Sequence, residues 1–177
     1  DGRKPSFEDV RNALNSLGMG YSAVVLGVNT MTRRFLKGKP PPAWKSMLKD
    51  MMSSIEIGYI LGSKIPSFGS ASGALMGFAE HIGLLTLCLE NPKGFKEWRF
   101  QTQRSGRLSR KAEIELFGCE PYQVSALAIQ ALGFGVESAV GTALGVGRLD
   151  PAHLAGDPRI NCWRATLLWI DALKRGR

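Results

Sequence analysis

The stretch GFAEHIGLL, residues 77–85, sets a carboxylate beside an imidazole, Glu80 and His81, inside an otherwise apolar run. Such a pair can transfer protons near neutral pH, or it can help hold a cation that acidifies a bound water and polarises a phosphoryl oxygen. Either chemistry needs further groups. The only other histidine, His153, lies in a glycine-rich segment with no ligand spacing to His81, so Asp50, Glu80 and His81 would make up a reduced metal set by themselves. The plainer expectation is a helix position where His81 hydrogen-bonds a carbonyl or carboxylate and Glu80 reaches solvent or pairs with a cation. A third reading makes His81 an interaction residue that responds to pH.

Residues 91–111, NPKGFKEWRFQTQRSGRLSRK, form the second candidate. Seven cations (Lys93, Lys96, Arg99, Arg104, Arg107, Arg110, Lys111) stand there against Glu97 alone, a net +6 in a chain whose total is +8. Cations that neutralise phosphates, with Trp98 and Phe100 between them to stack on bases, are what a nucleic-acid or nucleotide groove requires. The alternatives are a patch for an acidic protein partner, or a solvated face with its aromatics turned inward. Gly145-Val146-Gly147 reads as a turn, since no strand precedes it and no helix starts where a dinucleotide loop needs one. With two histidines and no GxSxG, the serines offer no nucleophile arrangement. Cys88, Cys119 and Cys162 lack metal or disulfide spacing and are expected to be buried free thiols.

A chain of 177 residues with 44% hydrophobic and 21% charged residues has globular composition, and one domain spanning 1–177 is expected. Charged or polar residues interrupt every apolar run short of the roughly 18 residues of a membrane span, and the N-terminal residues lack a signal-peptide core, so a cytoplasmic protein without a membrane span is expected. No cofactor is implied.

The elements that would position these residues are helical. Ser6 caps a helix with an acidic first turn that Gly18 closes. Tyr21 to about Phe35 reads as a second helix, apolar on most sides and expected to be largely buried. KGKPPP at 37–42 breaks the chain. A stripe from Trp44 to about Ser63 follows, with Met47, Met51 and Met52 assigned to core packing, and Ser70 is placed to cap a long helix ending at Glu90. Further helices are expected after Asn91-Pro92, over Arg110 to Phe117 with Gly118 as its stop, from Pro121 towards Gly133, from about Val136 to Leu144, and from Cys162 to Leu173 beyond a loop. No sustained period-2 pattern of β-branched residues occurs, so the fold class is all-α, a compact multi-helix bundle.

The order VRNALNSLGM, SSIEIGYILGSKIP, GALMGFAEHIGLLTLCLENP and AEIELFGCEPYQVSALAIQALGF resembles the HDOD domain, the output-type relative of the HD metal-dependent phosphohydrolases. That family's pattern runs from an AI-x-x-LG segment through a small-residue HS-x-x-x-A-x-x-A helix, a GLLHDIG-like turn and an E-x-E-x-FG-C-D/E-H segment to a histidine pair. Four of these five landmarks are traceable over roughly residues 6–173. Members carry more helices before the first segment, so the resemblance implies upstream sequence beyond Asp1. It also implies an HD/HDOD-type bundle acting non-catalytically in bacterial signal transduction through another protein or domain, or through a second copy of itself.

Carried across residue by residue, the family's metal positions fall near Asp50, on Glu80-His81, on Pro121 and near Leu144-Gly145. Only one keeps a histidine, and it is one residue out of phase, about 100° around a helix. Proline and leucine cannot ligate. The resemblance therefore implies a scaffold without metal and without catalysis. A surviving metal-dependent phosphohydrolase acting on a nucleotide or cyclic dinucleotide is the second expectation, and nucleotide or nucleic-acid binding by 91–111 the third.

Overall fold

A computed structural model describes residues 5–37, 41–106, 108–145, 158–174 and 176. Nine helices and no strand occur among them: α1 (Phe7–Leu17), α2 (Met19–Lys37), α3 (Trp44–Ser63), α4 (Gly69–Glu90), α5 (Pro92–Ser105), α6 (Arg110–Phe117), α7 (Pro121–Ala131), α8 (Val136–Gly145) and α9 (Pro158–Lys174). The all-α expectation holds. Local signals account for most of the boundaries. Ser6 Oγ accepts from the Asp9 amide while Asp9 reaches back to the Ser6 amide, a reciprocal cap that starts α1. Asn91 and Ser109 cap α5 and α6 by accepting from the Gly94 and Ala112 amides, and Gly118 ends α6 in the left-handed region that a residue with a Cβ avoids.

α4 is the central element, packed against α2, α3, α5, α7, α8 and α9. Phe78, Ile82 and Leu85 are buried on it, as their spacing predicts, and they join Met51, Ile55, Ile129, Leu167 and Ile170 in one core. Its 22 residues have a mean hydropathy of 1.4 over the most apolar window, enough by length and composition to cross a membrane. That corrects the expectation that no run qualifies, although 72% of the window is buried inside the bundle.

α3 and α4 meet backbone to backbone. A Cβ built on Gly73 would run into the Gly58 carbonyl, one on Gly62 into the Gly69 carbonyl, and one on Gly77 into the Ser54 carbonyl. Gly58 and Gly62 of α3 with Gly73 and Gly77 of α4 thus form a seam along which the two helices approach more closely than side chains would allow. The seam escaped the sequence reading because a glycine in a helix registers only as a propensity cost.

Four expectations need correction. α2 is not largely buried: Val24 is in the core, but Val25, Leu26 and Leu36 are exposed, because only one side of the helix packs on α4. Met51 is fully buried and Met47 half-buried, while Met52, about 100° further round α3, is 48% exposed. α4 begins at Gly69, so Ser70 lies inside its first turn and the Phe68 N-cap position supplies no side-chain bond. α9 starts at Pro158, four residues before Cys162, since a proline at the first helical position gives up an amide that had no helical partner anyway. Arg107, His153 and the Val146-Gly147 half of the expected glycine turn lie outside the described residues.

Candidate functional site

Glu80 and His81 belong to a polar cluster built from three helices. Ser54 of α3 is fully buried, and its hydroxyl lies 2.9 Å from Glu80 Oε2 and 2.8 Å from His81 Nε2. Lys174, in the last turn of α9, places Nζ 3.0 Å from His81 Nε2 and 3.7 Å from Glu80 Oε2. The glycine seam explains how so short a side chain as Ser54 bridges two neighbouring residues of α4, for Gly77 admits the Ser54 backbone at that level.

Ser54 has one proton, which it gives to the Glu80 carboxylate, while its hydroxyl oxygen and the Lys174 ammonium both meet His81 at Nε2. Charged Glu80 and Lys174 then offset each other. His81 Nε2 also faces Glu80 Oε2 at 3.4 Å. Burial pushes the Glu80 carboxyl up, but the His81 hydrogen bond and charge, the Lys174 charge and the Ser54 hydroxyl together outweigh it and hold Glu80 below its ordinary 4.5.

A lowered carboxyl pKa contributes stability that is fully present above the ordinary value and is lost as pH falls through the folded value. Wild-type protein is therefore expected to lose stability as pH falls below about 4.5. In Glu80→Gln that part of the acid limb should flatten. Denaturant midpoints measured from pH 6 to about pH 3 check this, and parallel acid limbs in the two proteins would refute the assignment.

Glu80 and His81 of this cluster form part of the wall of a cavity of about 540 Å³ between α4, α5, α6, α7, α8 and α9. Pro121 lines the same cavity, so two of the four positions the resemblance singles out, Glu80-His81 and Pro121, border one space. Asp50 does not join them: it is exposed one turn before Ser54 and is not part of the lining. Leu144 is a core residue, and Thr142 is the α8 side chain that reaches the cavity. As a metal site the set does not fit. No group of three His, Cys, Asp or Glu side chains able to hold a metal occurs among the described residues, and the Lys174 ammonium lies against the imidazole nitrogen and carboxylate that a cation would need. Sequence reasoning missed Lys174, Ser54 and the cavity lining from α6 and α9. Lys174 is 93 residues from His81, and no local pattern announces such a pair.

The basic segment divides. Lys93, Lys96 and Arg99 line a second groove of about 570 Å³ with Pro41, Pro42 and Phe100. Phe100 is 53% exposed, and the Arg104 guanidinium lies 5.3 Å from its ring centroid, covering one face. Trp98 turns the other way, stacks on the buried Phe95 at 5.8 Å and lines the first cavity, as the reading with inward-turned aromatics has it, so Trp98 and Phe100 do not form a base-stacking pair. Arg110 is engaged elsewhere, its Nε 2.6 Å from the fully buried Glu120. Lys111 pairs loosely with Glu115 at 3.9 Å.

The three cysteines are free. Only Cys88 is buried, and burial pushes its thiol up to about 11 against the opposing charge of Arg99. Cys119 and Cys162 are half-buried, which corrects the expectation for those two. Burial and the nearby Glu120 also raise Cys119. Comparison with known proteins returns nothing: no protein-family model, no curated protein and no solved structure matches this chain.

Proposed function

We propose that this chain is a non-catalytic regulatory module of HDOD-like type that acts by contacting another protein, with a second copy of itself as one such partner. The observation that carries the reading is Lys174. It sets an ammonium against Glu80 and His81 and turns what a hydrolase would use for a metal into an internal tie between α3, α4 and α9. The four sequence landmarks support the family assignment. Exposed apolar side chains on α1 and α2, with Phe7 85% accessible and Val10, Met19, Val25 and Leu26 beside it in sequence, supply a surface for a partner.

A second reading draws on the groove of Lys93, Lys96 and Arg99, in which three cations beside Phe100 hold a phosphate-bearing ligand. One preparation tests both. Protein purified without chelator is expected to carry no stoichiometric Mn, Fe, Ni or Zn, to leave nucleotides and cyclic dinucleotides uncleaved, and to bind a labelled single-stranded oligonucleotide no better than a neutral control protein. Bound metal with phosphate release would overturn the non-catalytic reading. Oligonucleotide binding that weakens steeply with salt and disappears in Lys93→Ala/Arg99→Ala would favour the second reading instead.

A further inference from the structure

The groove between residues 41–43 and α5 carries charges that the fold does not use. Lys93, Lys96 and Arg99 follow one another at three-residue steps along one side of α5, so a line of positive charge runs for about 9 Å beside the groove. Among the described residues, none of the three is ion-paired or hydrogen-bonded through its side chain. Glu97, the one acid of residues 91–111, accepts from Gln101 at 2.9 Å and does not line the groove.

Between these cations the walls are apolar. Pro41 and Pro42 form one side, steadied by the Trp44 amide, which donates to the Pro41 carbonyl at 3.0 Å, and the Phe95 and Phe100 rings contribute to the other. Neither proline has an N–H to offer, so a ligand is gripped chiefly by charge and apolar contact. Two features narrow the choice among anions. A strand of nucleic acid needs aromatic faces for successive bases, whereas Trp98 is turned away and Arg104 covers one face of Phe100 at 5.3 Å. A single small anion would meet one or two cations of the line and leave the apolar walls bare.

We infer that this groove receives an acidic segment of a protein partner, its carboxylates pairing with Lys93, Lys96 and Arg99 and an apolar side chain between them resting on Pro41, Pro42 and Phe100. Such a segment matches both the line of charge and the apolar walls. That it belongs to the partner of a regulatory module rests on the reading above. Metal with turnover would sink that reading and leave peptide binding in the groove as measured.

The test is fluorescence anisotropy on the whole chain at low salt, where charge pairing is least screened. The probes are a labelled peptide blocked at both ends, Ser-Glu-Leu-Glu-Glu-Leu-Glu-Ser, the same peptide with glutamine for glutamate, the same with serine for leucine, and an oligodeoxythymidylate of equal length. The first peptide is expected to bind more tightly than the oligonucleotide and about tenfold more tightly than the serine version, while the glutamine version should not bind at the same concentration. Lys96→Glu reverses one exposed charge in the groove and should weaken the first peptide about tenfold. Arg11→Glu makes the same change in net charge at an exposed site on α1 and should alter binding less than about twofold. Absence of binding by the first peptide, equal binding by the serine or glutamine version, equal losses in the two variants, or tighter binding of the oligonucleotide would each overturn the inference, the last in favour of a phosphate-bearing ligand.

Discussion

Gly73→Ala is expected to cost about 3 kcal/mol of folding stability, the upper end of what overpacking usually costs. At an exposed helical site the same change gains up to about 1 kcal/mol, because alanine restricts the unfolded chain and favours the helix. Here the new methyl would run into the carbonyl of Gly58 and lie 3.0 Å from the Cα of Gly62, and backbone atoms of a packed helix cannot rotate aside as a side-chain tip can. Gly27→Ala is the control. That Cβ would meet the Phe78 ring at 3.4 Å, close to ordinary contact, and the substitution is expected to be neutral or mildly stabilising. Chemical denaturation of the two variants separates them, and similar midpoints would show that α3 and α4 are not locked along their glycines.

Arg110→Met should cost about 3 kcal/mol, for a different reason. Glu120 precedes α7 with no exposed surface, and Arg110 at the start of α6 brings Nε to 2.6 Å of its carboxylate. Tyr122 adds a hydroxyl donor at 3.2 Å. Taking away the guanidinium leaves a buried carboxylate short of its cation, and losses on breaking such pairs run to about 3–5 kcal/mol. The lower figure applies because the Arg110 side chain is itself 60% exposed and part of its attraction is screened by water. Arg110→Met/Glu120→Gln strands no charge and keeps an acceptor for Tyr122, so it should recover much of the loss. Thermal denaturation of the single and double variants decides the matter, and a double variant no better than the single would place the cost in packing rather than charge.

Helix existence was largely legible in the sequence because its causes are local. The Ser6, Asn91 and Ser109 caps, the Gly118 stop and Pro121 at the start of α7 each act within a few residues of themselves. The degree of burial of each helix was less legible. The apolar residues of α2 announce a helix but not how many neighbours will cover it, and with one side on α4 the rest stays exposed. At the site, Glu80 and His81 stood out by residue type, with a carbonyl or carboxylate expected beside His81 and solvent or a cation beside Glu80. That Lys174 and Ser54 would be the partners depends on how α9 and α3 settle on α4, which is tertiary information. Trp98 illustrates the same limit, since helical spacing does not say which of two flanking aromatics turns inward.

The contact between α3 and α4 also bears on which parts of this molecule can move. Two helices whose backbones touch have little freedom to slide or rotate past each other, since any small displacement drives a carbonyl into a Cα. The pair behaves as a fixed spine. Mechanical change would then fall to the elements that rest on it through side chains alone, α2 on one flank and α9 on another. Lys174, tying the last turn of α9 to that spine by charge rather than by shape, is the fastening that can be released without dismantling the core.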